Sequence, residues 1–255
     1  LKVHEQKIYY HIRNLEKAGT IKLARQENRQ GAVANFYSLA EPSFVISFAP
    51  FQPTQKIMQL KEEHKKVLEP FIAEGQLNAT IIVGSPDPHG PDKARSRDGY
   101  YGIDFGLFLG TFLNYVPKLH VKLDTETREE DLQNNLILIG GPITNKIMER
   151  FNDSLPIYFD NNQNMNVRSK LTGNLYTSDE TGIIVKMKNP LAETKEMLII
   201  AGKRHTGTRA AIIAFLQGFA EITKGNADDQ KKIAKVVEGV DLDSDGIVDA
   251  VEFRE

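Results

Sequence analysis

The densest chemistry in this sequence lies near its end. Residues 241–252 read DLDSDGIVDAVE, which puts Asp241, Asp243, Asp245, Gly246, Ile247, Asp249 and Glu252 at positions 1, 3, 5, 6, 7, 9 and 12 of a twelve-residue calcium loop. Alternate carboxylates can converge on one hard cation, a glycine at position 6 allows the sharp bend, and Ile247 offers its carbonyl. Glu252 is expected to close the site with two oxygens. Without a cation the carboxylates would repel one another, so the spacing predicts bound calcium, with a magnesium-bound or empty site as the alternative in a cytoplasmic setting. Little sequence follows Glu252, so the exiting helix of a paired calcium sensor is not expected. A structural ion is.

A second group of residues suits anions. Three apolar runs, Ala79–Val83, Leu136–Ile139 and Met197–Ala201, each lead into a glycine-bearing turn: GSPDPHG, GGPITN and GKRHTGT. Helical patterns follow at Ile103–Leu113, Thr144–Phe151 and Arg209–Ile222. This is the rhythm of β-α units, and it predicts a largely parallel sheet with helices on its faces. Ligands of such sheets bind beyond the carboxyl ends of the strands, where the three turns converge. His89, Arg97, Asp98, Asn145, Lys203, Arg204 and Thr208 are the candidate ligand-binding residues there, and the cations among them suit an anionic small molecule. Gly202–Thr208 copies the glycine spacing of a phosphate-binding loop, but Thr208 stands where that motif needs lysine. No activated nucleophile or paired general acid and base is evident, so a non-catalytic role is expected.

A third group suits a polyanion. Residues 1–40 hold seven Lys or Arg against three Glu, a net +4 that leaves −6 on the rest of a chain whose formal charge is −2. Ile8, Ile12, Leu15 and Ala18 recur at helical spacing over His4–Ala18. Gly19 is placed to stop that helix, and Thr20–Gln26 and Val33–Leu39 alternate like the strands of a hairpin turning over Glu27–Ala32. A helix followed by a basic-tipped hairpin is the second half of a winged helix-turn-helix. His4, Gln6, Lys7, Tyr10, Arg13 and Lys17 on the helix, with Arg25 and Arg29 on the hairpin, are the candidate contacts to double-stranded DNA.

These elements are expected to fall into a winged-helix segment (1–41), a linker and dimerisation helix (42–77), an α/β domain (78–225) and a C-terminal segment with the acidic loop (226–255). In the linker, Ile57, Leu60, His64, Val67 and Phe71 form a heptad-like stripe, which predicts a homo-oligomer, as a dimer reading repeated half-sites. The fold class is α/β: a partial winged helix, a linker helix, a largely parallel sheet and an EF-hand-like loop. Hydrophobic residues at 40% and charged residues at 26% exclude global disorder. The absence of cysteine excludes disulfides, thiolate metal sites and a cysteine nucleophile, and agrees with a reducing cytoplasm. The longest apolar runs fall short of the roughly 20 residues of a membrane helix, so no membrane partner is expected.

Two resemblances add to this reading. HEQKIYYHIRNLEKAGTIK, with a wing ending in FYSLA, resembles archaeal winged-helix regulators of the ArsR and TrmB-like groups, over about forty residues. It implies DNA binding and transcriptional regulation, and two further helices upstream of Leu1. The GGPITN and GTRAA turns with the acidic loop resemble the conserved domain of archaeal S-layer proteins and their intracellular relatives. That likeness implies a ligand-sensing or assembly domain on a regulator or chromatin-associated protein, or alternatively a structural, calcium-binding assembly protein.

Overall fold

The computed structural model describes residues 4–29, 31–41 and 62–255. The chain divides into two compact units, one up to residue 52 and one from residue 53 onward.

In the first unit, helix α1 (Glu5–Lys17) carries Glu5 in its first turn and Lys17 in its last, both favourable to the helix dipole. It stops at Gly19, whose φ of +69° needs a residue without a Cβ, while the Thr20 N–H returns to the Leu15 carbonyl. Strands β1 (Ile21–Arg29) and β2 (Ala32–Leu39) pair antiparallel from Ile21 with Leu39 to Arg29 with Ala32. The turn expected over Glu27–Ala32 is therefore shorter than the sequence suggests. Glu27, Asn28 and Arg29 join the ladder because an exposed hairpin tolerates charged residues, and Gly31 at φ +85° supplies the tight reversal.

In the second unit a short helix α2 (Glu62–Leu68) leads to a small hairpin, β3 (Ile72–Ala73) and β4 (Gln76–Leu77). A seven-stranded sheet follows. Its parallel half is β5 (Thr80–Val83), β6 (Val121–Leu123), β7 (Leu136–Ile139) and β12 (Ala192–Gly202); its antiparallel half adds β11 (Thr181–Asn189), β13 (Ala234–Val240) and β14 (Ala250–Phe253). The spatial order is β14-β13-β11-β12-β7-β5-β6. The largely parallel sheet read from the sequence is thus a mixed one. Asn189–Ala192 is a tight reversal that makes β11 and β12 a hairpin; after α5 and α6 the chain crosses past β11 to add β13, and then β14, at the other edge of that hairpin. A three-stranded sheet of β8 (Ile157–Asp160), β9 (Asn166–Ser169) and β10 (Leu175–Tyr176) packs separately.

Both faces of the main sheet are buried, which explains its near-continuous apolar runs. Ile81, Val83, Ile137, Ile139, Leu198 and Ile200 face α3 (Asp98–Gly110) and α5 (His205–Gln217). Ile82, Leu136, Leu138, Met197 and Ile199 face the layer of α4 (Lys146–Phe151) and the small sheet. Phe105 of α3 meets Phe215 of α5 edge-on at 5.0 Å between centroids, and the short helix α6 (Phe219–Thr223) continues that aromatic cluster. Residues 226–255 supply β13 and β14 to this same sheet.

The stripe read as a dimer seam lands inside this unit. Val67 and Phe71 are fully buried in its core, and the His64 ring packs edge-on against Phe112. Ile57 and Leu60 lie outside the described residues.

Candidate functional site

The turns after β5, β7 and β12 do meet. Arg95, Arg97, Asp98, Gly141, Ile143, Thr144, Gly202, Lys203, Arg204 and His205 line a cleft of about 180 Å³ at the carboxyl ends of these strands. Helices α3 and α5, each 13 residues long, begin at its rim with Arg97 and Arg204 as their N-cap residues. The floor depends on backbone approach closer than any side chain allows: a Cβ on Gly202 would lie 2.0 Å from the Thr208 N, and one on Gly141 would lie 2.3 Å from the Gly202 carbonyl.

Four of the seven expected ligand residues line this cleft, in different states. Asp98 is 2% exposed, and its Oδ2 accepts the hydroxyls of Ser96 at 2.8 Å and Thr144 at 2.9 Å. Arg97 is exposed, like Arg95 on the same wall. Lys203 is committed elsewhere: its Nζ donates to the Thr177 carbonyl at 2.6 Å and pairs with Asp179 at 2.8 Å. The Lys203 ammonium beside Asp179 holds that carboxyl below the usual range, and Arg204 adds to the effect at 3.7 Å.

The other three are placed away from the cleft. Asn145 caps α4, accepting the Ile147 and Met148 N–H groups and donating to the Ile82 and Ile139 carbonyls, so both ends of its amide are spent. Thr208 is fully buried beneath the cleft in the first turn of α5. His89 turns inward, its Nε2 2.9 Å from Asp124 Oδ2. Asp124, whose side chain is closed to solvent, also accepts the backbone N–H groups of Ser85, Thr125 and Lys146. Sequence reading missed Asp124 and Asp179. Each lies on a segment distant from its partner, and nothing in a charge pattern pairs them.

The C-terminal loop gathers four of its acids. Carboxylate oxygens of Asp241, Asp243, Asp245 and Asp249 all lie within 4.8 Å of one another. The Gly246 N–H, then those of Ser244 and Asp245, donate to Asp241 and hold its carboxyl below the usual range. Val248 is buried and anchors the loop, its carbonyl receiving Arg209 Nε at 2.6 Å. Glu252 does not join the cluster. Val251 and Phe253 alternate onto the core, so the loop leaves as strand β14, and Glu252 pairs with Arg254 at 2.9 Å. The donor set that fits a hard cation is therefore the four carboxylates, without the bidentate glutamate of an EF-hand.

In the first unit no residue of α1 is buried, and His4, Gln6, Lys7, Tyr10, Arg13 and Lys17 are all exposed. Of the apolar stripe read from the sequence, Ile12 is half-buried, whereas Ile8 and Leu15 are 45% and 42% exposed. Arg25 stacks over the Phe36 ring at 4.4 Å and pairs with Glu27 at 3.2 Å. Arg29 ends β1 at the tip of the hairpin.

Residues 115–219 match the S-layer like family, outer domain. The matched stretch runs from before β6 through α5, so it contains the second and third turns of the cleft. The Arg95–Asp98 wall, the acidic loop and the helix-hairpin unit lie outside it. The chain is also similar to an uncharacterized protein of Methanocaldococcus jannaschii, 34% identical over 145 residues, which is 54% of this chain and 29% of that protein. It thus spans less than a third of that relative. Among the described residues no helix is long and apolar enough to cross a membrane.

Proposed function

We propose that the chain is a DNA-binding regulator. In this reading helix α1 and the β1–β2 hairpin are the DNA-reading half of a winged helix, and the S-layer-like α/β unit takes an anionic small molecule in its cleft. The observation that carries it is the face of α1. At about 100° per residue, Gln6, Lys7, Tyr10, Arg13, Asn14 and Lys17 fall within an arc of roughly 120° that contains no acid. Glu5 and Glu16 lie outside it, and Ile8, Ile12 and Leu15 lie opposite. An exposed helix with every cation on one face is built for phosphates, with Gln6 and Arg13 able to reach base edges. A homodimer would repeat this face on two half-sites, and a cytoplasmic location follows from the partner.

The test is selection of bound duplexes from a random pool by the full chain. A preferred sequence bound about 10³-fold or more above random duplex is the expected result for a regulator. Sequence-indifferent binding would make the chain a DNA-coating protein, and no retention of DNA would overturn the reading.

The match of residues 115–219 to an S-layer like outer domain favours a second reading, a calcium-binding assembly protein. Asp241, Asp243, Asp245, Asp249 and the Ile247 carbonyl would hold calcium, or magnesium, and relieve the repulsion among the carboxylates. Calcium-dependent self-association in sedimentation runs, without DNA, would support that reading over the first. The cleft is read as a binding site, and turnover of a bound metabolite would contradict that.

A further inference from the structure

Asp98 carries more than its place in the fold requires. Its Oδ2 is satisfied by two hydroxyls, yet its Oδ1 is buried with no hydrogen-bond partner among the described residues. Buried carboxylate oxygens are costly to leave unpaired, and the exceptions call for an explanation. The explanation lies on the same wall. Arg95 and Arg97 are exposed and take part in no ion pair among the described residues, and the 13-residue helix α5 starts at the rim, whereas in α3 the N–H groups of Asp98 and Tyr100 are already given to Ser96 Oγ and the Arg97 carbonyl. The cleft therefore offers donors for an anion and, beside them, a single unfilled anionic acceptor.

We infer that this cleft takes a small organic anion bearing a hydrogen-bond donor, an ammonium or a hydroxyl, close to its anionic group. Asp98 Oδ1 accepts from that donor. Arg95, Arg97 and the start of α5 hold the anionic end, which a helix N-terminus favours over neutral groups. Asp98 lines the cleft while less than 1 Å² of its Oδ1 meets water, so seating the donor requires that oxygen to open to the cleft. A cleft of about 180 Å³ lies below the 300–1,000 Å³ of drug-sized sites, which limits the ligand to the size of an amino acid or a short phosphate ester. Lys203 does not select the anion, because Asp179 already neutralises it. The inference deepens the ligand reading above and rests on it.

Calorimetric titration of the full chain with three probes separates the two. Methyl phosphate carries the anion alone, phosphoethanolamine adds an ammonium, and glycerol 3-phosphate adds hydroxyls. One charge-assisted hydrogen bond is worth about 1.5–3 kcal/mol, so at least one donor-bearing probe should bind about tenfold or more tighter than methyl phosphate. Whichever probe gains identifies ammonium or hydroxyl as the donor. Asp98→Asn keeps the acceptor for Ser96 and Thr144 but sets an amide donor at the Oδ1 position, and should remove that preference while methyl phosphate still binds. The Arg95→Ala/Arg97→Ala double variant should weaken all three probes alike. If methyl phosphate and both esters bind equally to the wild type, the inference is wrong and an anion site remains. If none of the three binds, the ligand reading itself fails. A preference that survives in a folded Asp98→Asn protein, judged by its melting curve, would also overturn it.

Discussion

Helix α1 and the cleft both collect cations, and they do so in opposite ways. On α1 the charged groups are all exposed, no residue is buried, and the helix presents charge at a distance. In the cleft Lys203 is 6% exposed and tied to Asp179 and a carbonyl, while Asp98 is sealed against two hydroxyls. The first region depends on a field that salt can screen; the second depends on shape and on a network that low dielectric strengthens. Changes that separate these dependences test the comparison.

The largest effect is expected in the core beneath the cleft. Phe215→Ala removes a fully buried ring packed on Phe105 and Phe108, and should lower stability by about 3–5 kcal/mol in denaturant unfolding. A loss under about 1 kcal/mol would show that α5 does not organise the α/β unit. On the opposite side, the Lys7→Ala/Arg13→Ala/Lys17→Ala triple variant should leave the melting temperature almost unchanged. Its signature should be in DNA binding, with the salt slope reduced by about 3, one for each lost phosphate contact.

A smaller effect separates paired from unpaired cations. Asp179→Asn strands the buried Lys203 ammonium, and because Asp179 is itself half exposed the loss should be about 1 kcal/mol. The pH dependence has a definite sign. Lys203 lowers the folded Asp179 value below the unfolded one, so this stabilisation is present above the ordinary carboxylate range and is lost as pH falls through the lowered folded value. Acid unfolding of the wild type should therefore contain a component in that window that Asp179→Asn lacks. The smallest effect concerns the loop. Asp243→Asn can still accept the Asp245 N–H, so without metal its stability should change by less than about 0.5 kcal/mol. It should nevertheless lose most of a calcium-dependent stabilisation, which at a hundredfold excess over Kd would be about 2.7 kcal/mol. Equal melting temperatures with and without calcium in the wild type would remove the metal from the account.

How much of this was legible in the sequence follows from the same contrast. The helix over His4–Ala18, its glycine stop and the three strand-turn-helix repeats were readable because periodicity and glycine placement are local. The convergence of Arg97, Asp98, Lys203 and Arg204 followed from the topology of such repeats. The antiparallel half of the sheet was not readable, because Val, Ile and Leu runs buried on both faces look the same whichever way the neighbour runs. The fates of His89, Asn145 and Thr208 were hidden for a related reason. A polar residue in a turn does not reveal whether it faces a ligand or closes a backbone ladder, and Asn145 does the latter with every atom of its amide. Glu252 fitted the calcium spacing, but Val251 and Phe253 also fitted a strand, and packing on the core decided between them.

The measurement that bears most directly on the account is the affinity of the full chain for a fluorescent random-sequence duplex at 50 mM and 200 mM salt, with a polyanion competitor. Contacts from the basic face of α1 predict binding that weakens steeply between the two, with log affinity falling by about 0.9 per neutralised phosphate for each unit of log salt. Binding that is absent at both concentrations, or indifferent to salt, would contradict a DNA-reading role for the helix and shift the weight to calcium-linked assembly.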